Sequence, residues 1–237
     1  AYEMRLVTGV QACALPISNG DVVYTIAKAG ISSIPIVGSA ASEIFSAILT
    51  PPLTKRREKW LNEIAERLQE LEEKTPEFKI ESLSENDMFI TCISQATQSA
   101  IRNHQQEKLI ALRNTVLNAA ITSSIDNIQL MFIQFIDALT PWHLKVLDLF
   151  NNPLEWFNRN NVPTPNIFMG APAQILELAF NDLKGRRPFY DQIVKDLYSR
   201  GLMNTDSLHI TMTGSGIIAS RTSEMGKMFI GYITSPV

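Results

Sequence analysis

The residues that could do chemistry in this chain are few and scattered. Its three histidines, His104, His143 and His209, stand far apart, and none has a second metal donor at helical spacing. The two cysteines, Cys13 and Cys92, are too few and too distant for a disulfide framework or a zinc site. His104 lacks the orienting partner that a general base needs, and reads as a surface or helix-break residue. Gly214-Ser215-Gly216 places a serine between glycines. It lacks the strand-to-helix context of a nucleophile elbow and any histidine–acid pair to activate the hydroxyl. No phosphate loop, dinucleotide fingerprint or metal motif occurs. The expectation is a protein without a catalytic site, metal, cofactor or small-molecule ligand.

Recognition through charge is the chemistry that remains. Lys184-Gly185-Arg186-Arg187 puts three cations on one turn, and Lys55, Arg56, Arg57 and Lys59 form a second basic cluster. The formal net charge is -3, so any nucleic-acid contact must rest on such a local patch and not on the field of the whole chain. With 237 residues, 45% of them hydrophobic and 19% charged, the chain can build one large domain or two modest ones.

The first residues, AYEMRLVTGVQACALPIS, imitate a signal peptide, but Thr8 and Gly9 break an apolar run already too short for one. Val7 to Ile17, VTGVQACALPI, resembles the in-frame translation of a widely used sequencing adapter, VTGVQTCALPI, from which only Ala12 departs. Residues 1–18 are therefore expected to be non-native and are set aside with Cys13, leaving a reducing, cytoplasmic setting as the expectation.

An all-helical region is expected over 19–139. Val22, Val23, Ile26 and Ala27 repeat at helical spacing, then Pro35 and Gly38 interrupt. Ser39 caps a short helix to Leu49. The apolar 31–49 hairpin, with Ile34, Ile36, Val37 and Phe45, is too broken to span a membrane. It either packs into a core or, with Lys55, Arg56 and Arg57 beside it, lies on an anionic membrane surface. Similar Ile-Pro-x-Val-Gly-Ser hairpins occur in bacterial proteins with membrane-perturbing helical domains, which implies a membrane-associating effector of bacterial conflict or phage defence as the alternative function.

Thr50-Pro51 has the form of a new N-cap and first helical residue. Leu53, Trp60, Leu61, Ile64, Leu68 and Leu71 form the buried stripe of that helix, and Thr75-Pro76 ends it. Ser84 and Asp87 suggest the next cap. No Gly or Pro occurs from Glu77 to Asn127, which allows one long bent helix or a pair. The segment AIRNHQQEKLIALRNTVLNAAI resembles a group of uncharacterised bacterial proteins sharing RNHQ-x-EK-x-x-ALRN. Its polar signature here is Arg102, Asn103, His104 and Arg113, and it implies no activity. Ser124 or Asp126 caps a further helix through Phe132 and Phe135.

From Thr140-Pro141 the pattern changes. Leu144, Leu147 and Phe150 face inward on one helix, an insert with a short turn at Leu154–Phe157 follows, and Ala173–Leu183 makes a second helix. A third begins at Pro188, with Phe189, Ile193, Val194 and Leu197 inward, and ends at Gly201. Leu208, Ile210 and Met212, then Ile217, Ala219 and Arg221, alternate about Gly214–Gly216 like a hairpin wing. A last helix follows Thr222-Ser223. This order predicts a winged-helix module over 140–237. LYSRGLMN…TSEMGKMFIGYI resembles the L-x-x-x-G-L…T-x-x-G-x-x-F pattern of bacterial multiple-antibiotic-resistance-type regulators. That likeness implies a recognition helix exposing Arg187, Tyr190, Asp191, Lys195 and Ser199. Lys184 and Arg186 would reach phosphates, and Arg221 and Ser215 would lie on the wing. Asp191 and Asp196 on the same helix would repel a DNA backbone. The expectation is thus a non-enzymatic regulatory or interaction protein whose wing serves either double-stranded DNA or a protein partner, a second copy included.

Overall fold

The computed structural model describes residues 39–122 and 126–236. The adapter-like start with Cys13, the helix from Asp21, the hairpin residues Ile34, Ile36 and Val37, and Ser124 lie outside the described residues. Among the described residues the protein is mainly helical with one small antiparallel sheet of two strands, and Arg57–Val237 forms one compact unit. No helix among the described residues is long and apolar enough to cross a membrane.

The first described helix, α1 (Ser39–Lys74), runs through Pro51 and Pro52, so Thr50 does not open a new one. Each proline removes an N–H that would serve the carbonyl four residues back. Those carbonyls belong to Ala47 and Ile48, which are exposed, so water can serve them and the break is avoided. Trp60, Ile64, Leu68 and Leu71 are buried as their spacing requires, while Leu61 turns outward. The Trp60 indole donates to Thr97 Oγ1 at 3.0 Å, tying α1 to the next helix. The exposed face carries Lys59–Glu63 at 3.7 Å, a solvated pair worth a few tenths of a kcal/mol. Lys74 ends the helix before Thr75-Pro76, as expected.

After a 3-10 turn (Ile80–Glu85), α2 (Asp87–Arg102) is capped by Asn86, whose side chain accepts from Phe89 N at 2.9 Å. Ser84 sits inside the 3-10 turn and donates to Glu81 O instead, so it is not the cap. The long stretch without Gly or Pro is a helix pair: Asn103 folds its amide back onto Ser99 O at 2.8 Å, and α3 (Gln106–Ile121) begins after it. The next helix is α4 (Asp126–Ala138), followed by α5 (Pro141–Asn151), with Thr140-Pro141 at its start as expected.

The remaining elements are α6 (Pro153–Arg159), β1 (Met169–Gly170), α7 (Pro172–Ala179), a 3-10 turn (Asn181–Leu183), α8 (Arg187–Ser199), β2 (Met212–Thr213), the single turn α9 (Gly214–Ile217) and α10 (Glu224–Ile233). Gly201, at φ +72°, closes α8 in the left-handed region that favours glycine.

The expected hairpin wing is corrected. Met212–Thr213 pairs with Met169–Gly170 of the insert, and Gly214 N donates to Phe168 O at 2.9 Å. With that edge taken, Gly214–Ile217 coils into a helical turn, and 217–221 does not pair back as a strand. Gly214 is required for close approach: a Cβ there would stand 2.3 Å from Ile167 O.

Helix α3 is the hub, packing on α2, α4, α5 and α10. Leu112 and Val116 are fully buried, and a polar set that staples the neighbours runs from buried Ser99, Lys108 and Asn114 out to half-buried Asn118 and exposed Arg102 and Asp137. Lys108 Nζ donates to Asp137 O at 2.8 Å, at the carbonyl end of α4 where a cation is favoured. The Asp137 carboxylate accepts from Ser99 Oγ at 2.6 Å and from Arg102 Nη2 at 3.1 Å. Asn114 Nδ2 donates to Ile233 O, and Asn118 Nδ2 to Tyr232 O and Thr234 O, closing the end of α10. The RNHQ…ALRN polar residues are therefore largely joints between helices, with His104 exposed beside them.

Replacing Asn118 tests this. Asn118→Ala should cost about 1–2 kcal/mol through its lost donors. Asn118→Asp should cost more, because it sets an anion against the same carbonyls. Urea denaturation measures both, and equal midpoints for the two variants would contradict the assigned role.

Candidate nucleic-acid interface

The candidate site is the turn and helix from Lys184 to Ser199. Pro188 pre-sets the backbone of the first turn of α8. At 3.6 residues per turn, Tyr190, Ile193, Val194 and Leu197 fall on one side, and all four are buried. The opposite side is the strip Pro188, Gln192, Lys195 and Ser199, spaced i, i+4, i+7 and i+11, and all four are exposed.

This phase corrects two sequence expectations. Tyr190, expected outward, is 2% exposed: its hydroxyl donates to Glu177 Oε1 at 3.1 Å and its ring lies 5.9 Å from that of His209. Burial first, then Glu177, push the Tyr190 phenol up to about 12. Phe189, expected inward, is exposed, with the Arg186 guanidinium 5.4 Å above its ring.

The two aspartates of α8 lie on its flanks, not on its outer strip. Asp191 meets His209 Nε2 at 2.6 Å and Arg187 Nε at 3.4 Å. Asp196, on the other flank, accepts from Gln192 Nε2 at 2.7 Å and faces His143 Nε2 at 3.4 Å. The His143 ring assigns its own tautomer. Its Nδ1 accepts from Thr140 N at 3.1 Å and lies 2.8 Å from the Thr140 hydroxyl, so Nε2 carries the hydrogen toward Asp196. Burial pulls the His143 pKa below its usual value, with Asp196 opposing that pull.

Lys184, Arg186, Arg187 and Lys195 are exposed, and Lys184 and Lys195 have no ion-pair partner among the described residues. Ser215 is exposed on α9. Arg221 is not available to a groove, which corrects its assignment to the wing. It is 8% exposed, and its guanidinium donates to Gly216 O at 2.7 Å, Ala219 O at 2.6 Å and Ile217 O at 3.2 Å. With the Phe150 ring 5.8 Å away, it pins the turn after β2, and burial lowers its pKa. Gln192 and Pro188 were missed as outer-strip residues; the signal was the helical phase, set by burying Tyr190 and not Phe189.

Among the membrane or partner candidates, Lys55 and Arg56 are exposed and Arg57 is half-buried on α1; only the backbone of Phe45 is described. Among the described residues no three His, Cys, Asp or Glu side chains gather where they could hold a metal ion. A mostly apolar cleft of about 320 Å³ lies between α3, α4 and α10, lined by Phe132 and Tyr232 among others. No known family, curated protein or solved structure matches the chain.

The His143 geometry gives a pH dependence with a definite sign. Because its folded pKa lies below its unfolded value of about 6.5, its contribution is complete above that pH and is lost as pH falls through the folded value. Between pH 7 and 5, stability of the His143→Gln variant should fall less steeply than that of the native chain. Identical slopes in urea titrations would contradict the buried neutral ring.

Proposed function

We propose that residues 140–236 are a winged-helix-type module that binds duplex DNA, in a regulatory protein that performs no catalysis. Helix α8 is the recognition helix in this reading, and β1 with β2 takes the place of the wing. The carrying observation is the outer strip of α8, which holds Gln192, Lys195 and Ser199 without an acid while both aspartates are engaged on its flanks. The repulsion that an even charge pattern would impose on a phosphate backbone is thereby displaced from the contact line.

The chemistry of the strip suits base edges. Glutamine pairs in bidentate fashion with adenine, lysine with guanine, and serine with either. Lys184, Arg186 and Arg187 at the leading turn suit phosphates, which set register and orientation without reading sequence. The order of two helices, strand, helix, turn, helix, strand, single helical turn and closing helix is compatible with the same reading, and the likeness of LYSRGLMN…TSEMGKMFIGYI to the regulator pattern supports it.

Fluorescence anisotropy with a labelled duplex tests the proposal. Neutralisation of three phosphates by Lys184, Arg186 and Arg187 releases their counterions and predicts a log–log salt slope of roughly -2.7, about a fortyfold loss of affinity between 50 and 200 mM salt. Lys184→Ala with Arg186→Ala should reduce the slope by about two, since both side chains are exposed and the fold does not need them. Absence of binding at 50 mM salt, or a slope unchanged in the double variant, would overturn it.

A further inference from the structure

Midway along the first half of α1, aliphatic side chains and cations share one hydrated side. The inner side of this stretch is set by Ser46, Thr50 and Leu53, spaced i, i+4 and i+7, which are buried or half-buried. Opposite them, Ile48, Pro52 and Lys55 repeat at the same spacing, and all three are exposed. Ile48 is 59% exposed and Leu49, beside that strip, 43%. Arg56 is exposed there too, and no acidic residue occurs from Ile44 to Arg57. Single exposed aliphatics are ordinary, but this pair stands in line with cations and apart from any acid.

The mixture of chemistries selects the partner. A duplex would satisfy Lys55 and Arg56 and leave Ile48 and Leu49 in water. An anionic bilayer surface satisfies both, with phosphates and carboxylates at the headgroup level and acyl chains beneath. The spacing fits as well: from Ile48 to Lys55 the helix rises about 10 Å, and interfacial helices bury their apolar side roughly 5–10 Å deep. With a formal net charge of -3 the whole chain is not drawn to such a surface, so the attraction is local to these cations. Pro51 and Pro52 limit the depth. The carbonyls of Ala47 and Ile48 have no helical N–H to accept from and need water, which the hydrocarbon interior lacks.

We propose that α1 docks through Ile48 and Leu49, with Lys55 and Arg56 above them, on an anionic phospholipid surface. The aliphatic pair enters the boundary between headgroups and acyl chains, and the two cations extend their apolar stems to keep their charges among the lipid phosphates. This site is separate from the α8 strip and does not depend on the DNA-binding reading.

Co-sedimentation of the full chain with vesicles tests it, using mixed phosphatidylserine–phosphatidylcholine vesicles against phosphatidylcholine alone. The native chain should pellet with the anionic vesicles and stay in solution with the neutral ones. Lys55→Gln with Arg56→Gln should weaken partitioning about twentyfold, roughly fivefold for each cation. Ile48→Ser with Leu49→Ser should weaken it about tenfold or more, and Ile48→Leu with Leu49→Ile should bind like the native chain. Circular dichroism should show native helix content in every variant, since the substituted side chains are exposed. No pelleting with anionic vesicles, or equal pelleting with neutral ones, would overturn the proposal. Binding that survives Ile48→Ser with Leu49→Ser would reduce the contact to adsorption of charge and overturn it as well. Duplex affinity lost in Lys55→Gln with Arg56→Gln, with no vesicle binding by the native chain, would assign the cations to nucleic acid instead.

Discussion

Two carboxylates on one short helix need partners, and in this chain both find histidines. Asp191 is held by His209 from the segment before β2, and Asp196 faces His143 from the start of α5. These two contacts fix α8 about its axis from both flanks: turning the helix by one residue would break both and bring Tyr190 out of its place against Glu177. The core side supplies the complementary constraint through Ile193, Val194 and Leu197. Rotational setting of α8 decides which side chains form its outer strip, so the same contacts that order this part of the chain decide what that strip presents.

Residues 140–236 pack directly on the helices that precede them. Within Arg57–Val237, the asparagines of α3 close the carbonyl end of α10, and α5 packs on both α3 and α8. The 3.4 Å contact of His143 with Asp196 and the bonds of Asn114 and Asn118 therefore belong to one continuous framework. A ligand on α8 would act on a helix braced from behind by α5, which favours a preformed surface over one ordered on binding.

Helix existence was legible in periodicity and caps: Thr140-Pro141, Thr75-Pro76 and Gly201 each stand where their chemistry predicts. What was not legible depended on distant partners. Phe189 and Tyr190 are adjacent and both aromatic, and only the Glu177 acceptor and the His209 ring decide which one is buried. Gly214 reads as a turn residue locally, yet it is needed because Ile167 O passes close by, and Ile167 lies in the insert, far from Gly214 along the chain. Thr50-Pro51 carries a start signal that a helix already under way overrides. The cations of the candidate site were visible as a basic turn. Arg221 looked the same by type and differs only because its chain folds it onto three carbonyls.

The most direct test of the account is a titration of isotope-labelled protein with a short duplex, followed by backbone and side-chain amide shifts. The account predicts perturbations concentrated on Lys184 to Ser199, with the Gln192 side-chain amide among the largest, and little change on α2 or α4. Shifts centred on α2, α4 or the basic cluster of α1, with α8 silent, would contradict it.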